Sequence, residues 1–251
     1  MIVKTQQERE ALVEGGKILA EILFKVGERC TVGTTLIELD SYTRELMEEN
    51  SVKPSFLGIG SPPFPAVICI SVNEGVVHGI PGSYDLKEGD ILTLDTGIWH
   101  KDLCTDSAIT IGVGNISDKD QKLIYAALET RDAQVSAAIV GNTVGDIGYA
   151  SEQVLKKHGF NSPQELGGHG VGKEVHEPPF VSTYGAPGTG LVLEEGMVLA
   201  LEPILVGGKG DVKLMDDQWL YETIDGSRSA QFEHTVIVGK NEPQVLTAHE
   251  E

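Results

Sequence analysis

Between residues 8 and 27 the apolar side chains Leu12, Ile18, Leu19, Ile22, Leu23 and Val26 fall roughly on one face at helical spacing, which predicts an amphipathic helix. A second helix is expected from Thr34 or Thr35 to about Asn50. Short apolar runs then replace the helical period, and residues 66–72, 91–96 and 107–113 read as strands. After that the same order begins again. Helices are expected near 118–139 and 144–158, followed by strands near 197–206, 219–223 and 234–238.

The recurrence extends to the residues themselves. Thr31-Val32-Gly33 and Thr143-Val144-Gly145 each enter a helix. Leu86-Lys87-Glu88-Gly89-Asp90-Ile91-Leu92-Thr93-Leu94-Asp95 aligns with Leu193-Glu194-Glu195-Gly196-Met197-Val198-Leu199-Ala200-Leu201-Glu202. Each is a glycine turn feeding an apolar strand that ends in a carboxylate. Asp106-Ser107-Ala108-Ile109-Thr110-Ile111-Gly112 pairs in the same way with Glu233-His234-Thr235-Val236-Ile237-Val238-Gly239, and His78-Gly79-Ile80 more weakly with His169-Gly170-Val171. Loops between paired segments change length while the order holds. The expected fold is therefore α+β: one domain over residues 1–251, with similar halves of about 1–115 and 116–251 related by a pseudo-twofold axis. Such a duplication would form a curved antiparallel sheet with helices on one face and the site on the concave side.

Composition narrows the function. A formal net charge of -19 over 251 residues opposes a phosphate backbone, which argues against direct sequence-specific nucleic-acid binding. No apolar stretch approaches a membrane span, and the start MIVKTQQERE turns polar within its first few residues. These features make a cytoplasmic, unexported protein the expectation. Cys30, Cys69 and Cys104 have no paired spacing, so reduced thiols are expected rather than a disulfide framework.

The repeat also collects acidic residues. Asp95 ends one strand, Asp106 opens another, and residues 99–103 suit an antiparallel connection between them. Glu202 and Glu233 hold the corresponding places in the second half. Four carboxylates aimed at one spot cannot all stay ionised in a partly buried site unless cations neutralise them. Gly167-Gly168-His169-Gly170-Val171-Gly172 offers a histidine on a glycine-rich loop, whose backbone can turn tightly and approach a ligand. It lacks the lysine and hydroxyl residue of a phosphate loop. Four carboxylates with one histidine suit two divalent ions such as cobalt, manganese, iron or zinc. The chemistry such a set predicts is metal-assisted hydrolysis of an acyl bond.

At this point a family resemblance emerges. Ser71-Val72-Asn73-Glu74-Gly75-Val76-Val77-His78-Gly79-Ile80-Pro81 closely resembles the signature segment of type I methionine aminopeptidases. So do Leu94-Asp95-Thr96-Gly97, Gly168-His169-Gly170-Val171-Gly172, His176-Glu177-Pro178, Leu201-Glu202-Pro203 and Phe232-Glu233-His234-Thr235, in the same order along nearly the whole chain. The resemblance implies the pita-bread fold and removal of the N-terminal methionine from nascent proteins whose second residue is small. It implies Asp95, Asp106, His169, Glu202 and Glu233 as ligands of two metal ions, with Asp106 and Glu233 bridging. Glu202 would also relay a proton between the nucleophilic water and the leaving amine. His78 and His176 would hydrogen-bond the scissile amide and assist the tetrahedral oxyanion. Phe64, Cys69, Trp219 and Gln231 would line the methionine pocket. A monomer is the default oligomeric state, and a transient contact with the ribosome is the further partner the resemblance allows.

The chain departs from the family at Val175 and Ser61, where an aromatic is usual, and around Cys104. A wider methionine pocket is the expectation from the first two. The short stretch between His176 and Glu202 leaves no room for the helical insertion of the type II branch. The related Xaa-Pro aminopeptidases and dipeptidases usually carry an additional N-terminal domain. A metal-free binding protein on the same fold is the alternative from another class.

Overall fold

The computed structural model describes residues 1–249, so residues 250–251 of the span expected to form one domain lie outside it. Helices α1 (Gln6–Glu28) and α2 (Leu36–Glu49) come first. They are followed by β1 (Lys53–Pro54), β2 (Cys69–Val72), β3 (Gly75–Val77), β4 (Ile91–His100) and β5 (Leu103–Gly112). A second series opens with α3 (Asp118–Ala137), α4 (Val144–His158), β6 (Gly167–Gly170), β7 (Glu177–Ser182) and β8 (Val198–Leu201). It closes with β9 (Ile204–Val206), β10 (Val212–Leu214), β11 (Tyr221–Thr223), β12 (Ser229–Gln231), β13 (His234–Ile237) and β14 (Gln244–Val245).

Local chemistry sets the helix ends. Reciprocal capping boxes pair Thr5 with Glu8, Thr35 with Glu38 and Thr143 with Asp146. Each satisfies two backbone donors that a first turn would otherwise leave open. Gly159 stops α4 in the left-handed conformation, φ 73. Strand bounds shift more. The run expected over 197–206 breaks into β8 and β9 at Glu202-Pro203, because proline has no N–H for a ladder. The break redirects pairing: β8 lies against β6 and β13, while β9 turns to β12. The run expected from 219 starts only at Tyr221, since the Trp219 and Leu220 N–H groups both donate to Asp217 Oδ1 at 2.9 Å.

The strands form four antiparallel sheets among the described residues. Side-chain and backbone bonds stitch them into the curved sheet. The Glu233 N–H donates to the Ala108 carbonyl at 2.8 Å. Thr235 Oγ1 both accepts from the Asp106 N–H (2.9 Å) and donates to the Asp106 carbonyl (2.7 Å). Helix α1 packs on β4 and β5, and α3 packs on β9, β12 and β13. Leu19, Ile22 and Val26 of α1 are buried with Leu92 and Leu94 of β4 in one core, and Ile147 of α4 with Leu199 and Val236 in another. Burial of this kind contributes roughly 1.5–3 kcal/mol per large apolar side chain. No helix among the described residues is long and apolar enough to cross a membrane.

Candidate metal centre

The carboxylates meet because of register. In the β4–β5 hairpin Asp95 lies opposite Ala108, and Gly97 lies opposite Asp106. Side chains two apart on a strand share a face, so Asp95 and Asp106 are diagonal neighbours on one face. Gly97 leaves space for them: a Cβ there would sit 3.3 Å from Asp106 Oδ1. The hairpin closes through Lys101 and Asp102, both with positive φ (49 and 63), the two-residue turn whose twist matches the strands. On the other ladder Leu201 pairs with His234. Extending that register by one residue sets Glu202 opposite Glu233.

His169 arrives differently from the sequence expectation. The glycine-rich segment is strand β6, held between β7 and β8, rather than a loop. Its glycines serve close approach. A Cβ at Gly168 would lie 2.4 Å from the Ala200 carbonyl oxygen, and one at Gly170 2.3 Å from that of Pro178. His169 pairs with Ala200, two residues before Glu202, and so points to the face that carries the carboxylates. Its Nδ1–H donates to the Gly170 carbonyl at 2.9 Å, which leaves the Nε2 lone pair toward Glu202 Oε1, 3.4 Å away. Such a bond on one ring nitrogen is what fixes the tautomer of a metal-binding histidine.

The electrostatics fit a cation. Ligand atoms of Asp106, His169 and Glu233 lie within 4.8 Å of one another. Asp95 Oδ1 and Glu233 Oε1 are buried without a hydrogen-bond partner, an arrangement costly for acids unless a cation takes them up. Burial pushes the Asp106 carboxyl up to about 7. Burial and the Asp106 charge raise Asp95. Burial and the neighbouring carboxylates raise Glu202 and Glu233. His169 moves the opposite way, lowered to about 4 by burial and by His176, so it stays neutral and able to ligate. Four raised acids beside one neutral imidazole form a hard-to-borderline donor set that fits divalent ions.

The centre opens on a cavity with Phe56, Ile59, Phe64, Cys69 and Trp219 on its apolar side. Phe64 and Trp219 meet edge to face at 5.1 Å, and Trp219 Nε1–H donates to the Pro62 carbonyl at 3.1 Å. That bond ties the 58–65 loop to the β10–β11 hairpin over the cavity. His78 and His176 also line the cavity. His78 holds a left-handed backbone, φ 60, a strained state for a non-glycine residue at the end of β3. Its ring faces Trp219 at 6.0 Å, and burial lowers its pKa to about 4. His176 stands at the rim, its ring 4.5 Å from that of His169. Its loop is fastened by Glu177, which accepts from the Lys173 and Glu174 N–H groups and pairs with the Met1 ammonium at 2.6 Å.

Three placements depart from the sequence expectation. Gln231 is fully buried and turns its amide onto Glu202 instead of lining the cavity. Val175 packs in the apolar cluster behind the cavity, and Ser61 is exposed, so neither forms its wall. Phe56 and Ile59 do line it and were missed. Their apolar character beside Gly58 and Gly60 was the available signal, yet residues 56–60 carry no period that distinguishes lining from loop.

The sequence pattern of metallopeptidase family M24 matches residues 10–240. A methionine aminopeptidase of Clostridium perfringens is 41% identical, the match covering 98% of each chain. Methionine aminopeptidase 1 of Mycobacterium tuberculosis is 38% identical over 96% of this chain and 92% of its own. Among solved structures, the methionine aminopeptidase of Thermotoga maritima superposes with a TM-score of 0.95 at 36% identity, covering 100% of both chains. The prolidase of Pyrococcus horikoshii OT3 reaches 0.78 at 25% identity, and the match covers only 64% of that longer chain.

Proposed function

The chain belongs to metallopeptidase family M24, and we propose that it removes the N-terminal methionine from new polypeptides when the second residue is small. The observation that carries this reading is a buried cluster of acids and one neutral histidine opening directly onto an apolar cavity with an aromatic wall. The near-complete two-way coverage with methionine aminopeptidases supports it over the prolidases, of which this chain spans about two thirds. The whole chain is read as one catalytic domain of two similar halves.

Asp95, Asp106, His169, Glu202 and Glu233 would hold two divalent ions: cobalt, manganese, iron or zinc. When bound, such ions supply Lewis acidity that lowers the pKa of water and polarises a carbonyl. The chain's own residues do the rest. Phe64, Trp219 and Cys69 receive the methionine side chain and exclude water from it. His78, held neutral by burial, and His176, whose pKa partial burial lowers, hydrogen-bond the scissile amide and the oxyanion that develops there. Glu202 takes the proton of the attacking water and delivers it to the leaving amine nitrogen. The histidines and the acid cluster crowd the position after methionine, which favours a small residue there, such as Gly, Ala, Ser, Thr or Val. The reading also places a monomer in the cytoplasm, meeting new chains near the ribosome. Three free, buried thiols support a reducing compartment.

Methionine release from Met-Ala-Ser, with Ala-Pro as the competing substrate, tests the reading. Stripping metal with a chelator should abolish release, and manganese, cobalt or ferrous iron should restore it. Preferential cleavage of Ala-Pro would overturn the substrate assignment. Full activity in protein shown to be metal-free would overturn the metal centre.

A further inference from the structure

Glu202 sits at the break between β8 and β9, followed by Pro203, outside any ladder that would fix its backbone by pairing. Its carboxylate is held instead by a side chain from another strand. Gln231 Nε2–H donates to Glu202 Oε2 at 2.9 Å, while Glu202 Oε1 faces His169 Nε2 at 3.4 Å. Gln231 itself has little freedom. Its side chain is fully buried, and β12 pairs it with Ile204 of β9, two residues beyond Glu202. Its N–H donates to Thr110 Oγ1 at 2.8 Å, and Thr110 Oγ1 donates back to its carbonyl at 2.7 Å. Thr110 Oγ1 also lies 2.8 Å from Thr93 Oγ1 of β4. A chain of bonds thus runs from the hairpin that bears Asp95 and Asp106, through Gln231, to Glu202.

We propose that Gln231 is a positioning residue for Glu202, occupying Oε2 so that Oε1 alone serves the metal centre and the proton transfer. The proposal rests on the reading of Glu202 as ligand and proton relay. A carboxylate with both oxygens free can rotate or chelate through both, and either change misplaces the oxygen that must meet the water. A glutamine suits the task where a fifth acid would not: it donates to the carboxylate without adding negative charge to a cluster that already holds four acids. Its amide must present nitrogen to Glu202, because the flipped amide would set two acceptors face to face.

Gln231→Met keeps length and removes the donor, and Gln231→Asn withdraws the donor by one methylene without adding apolar atoms. Gln134→Met serves as the control. Gln134 is a fully buried glutamine on α3 whose amide makes no hydrogen bond among the described residues. Two measurements apply: kcat and KM for Met-Ala-Ser, and the Mn²⁺ titration isotherm of metal-stripped protein. Both Gln231 variants should lose about tenfold or more in kcat, the worth of one hydrogen bond to a charged group. KM should stay within about twofold, which a general loss of structure would not preserve. One Mn²⁺ binding event should weaken about tenfold. Gln134→Met should keep kcat, KM and the isotherm even where its melting temperature falls. Wild-type kinetics and isotherm in either folded Gln231 variant would overturn the proposal, as would equal losses in Gln134→Met. A wild-type protein that releases no methionine would instead overturn the substrate reading, and the Mn²⁺ isotherms would still decide whether Gln231 holds Glu202.

Discussion

Gly97→Ala tests whether the carboxylates owe their placement to the space left in β4. The new Cβ would lie 2.4 Å from Ser55 Oγ, 2.9 Å from the Thr105 carbonyl oxygen and 3.3 Å from Asp106 Oδ1. The first two distances are shorter than real contacts allow, so atoms must move. Ser55 Oγ can turn away about its Cα–Cβ bond, but its backbone is held, its N–H donating to the Gly97 carbonyl at 3.0 Å. Thr105 is backbone in the opposing strand, paired with Ile98. The strain therefore falls partly on the hairpin and partly on Asp106. Overpacking of this kind costs ~1–3 kcal/mol. At about 2–4 °C per kcal/mol for a chain of this size, the melting temperature should drop by roughly 2–12 °C. Calorimetric unfolding of metal-stripped protein measures that loss, and Mn²⁺ titration reads the displacement of Asp106 as weaker binding. Gly82→Ala is the matched control, since a Cβ there meets nothing within 4 Å. A Gly97→Ala protein with the melting temperature and Mn²⁺ affinity of wild type would refute the argument that this glycine makes room for the centre.

The metal-stripped protein should lose stability as pH rises from about 6.5 to 8. Asp106, raised to about 7, and Asp95, Glu202 and Glu233, raised well above the ordinary carboxylate range, hold protons in the fold that they give up on unfolding. Their contribution is complete below the ordinary carboxylate range and fades as pH climbs through the folded values. His78 and His169, both lowered to about 4, and His234, lowered to about 3, act in the opposite sense, but in the unfolded chain they are already about half deprotonated at pH 6.5 and almost fully so by about pH 7.5, so the four acids outweigh them. A stripped protein that gains stability across that window in urea titrations would contradict the buried-acid cluster. His78→Ala should keep both metal ions by elemental analysis while kcat falls about 10²-fold or more, the range of a lost oxyanion donor. Loss of metal would show that its role is different. Glu177→Ala frees the Lys173 and Glu174 N–H groups and the Met1 ammonium, so the His176 loop should loosen and kcat should fall with Mn²⁺ affinity kept. Hydrogen exchange at residues 173–176 checks this, and unchanged protection would refute it.

The helices were legible because their causes are local. The stripe from Leu12 to Val26 became α1, and Thr35 with Glu38 sets the start of α2 within the range expected. The apolar run ending at Asp95 became β4, and the opening carboxylate of the next run lies on the same face because the hairpin register is short-range. The acid cluster was legible through the repeated order of the carboxylates, but only Glu202 and Glu233 flank their strands: Asp95 and Asp106 lie inside β4 and β5, because the hairpin runs on to the turn at Lys101 and Asp102. Tertiary structure alone decided the rest. Gly168 and Gly170 read as part of a loop that turns tightly toward a ligand, yet they are glycines because the carbonyls of Ala200 and Pro178, on neighbouring strands, come too close for any side chain. Gln231 read as cavity wall but lies behind Glu202, because the break at Pro203 turns β9 onto β12 and brings the two side chains together. Phe56 and Ile59 line the cavity through a loop whose course is set by the Trp219 bond to Pro62, across most of the chain. Periodicity and capping act over one or two turns and can be read in order along the chain. Close approach, cavity walls and the partner of a buried carboxylate depend on which distant backbone arrives, and only the folded arrangement determines that.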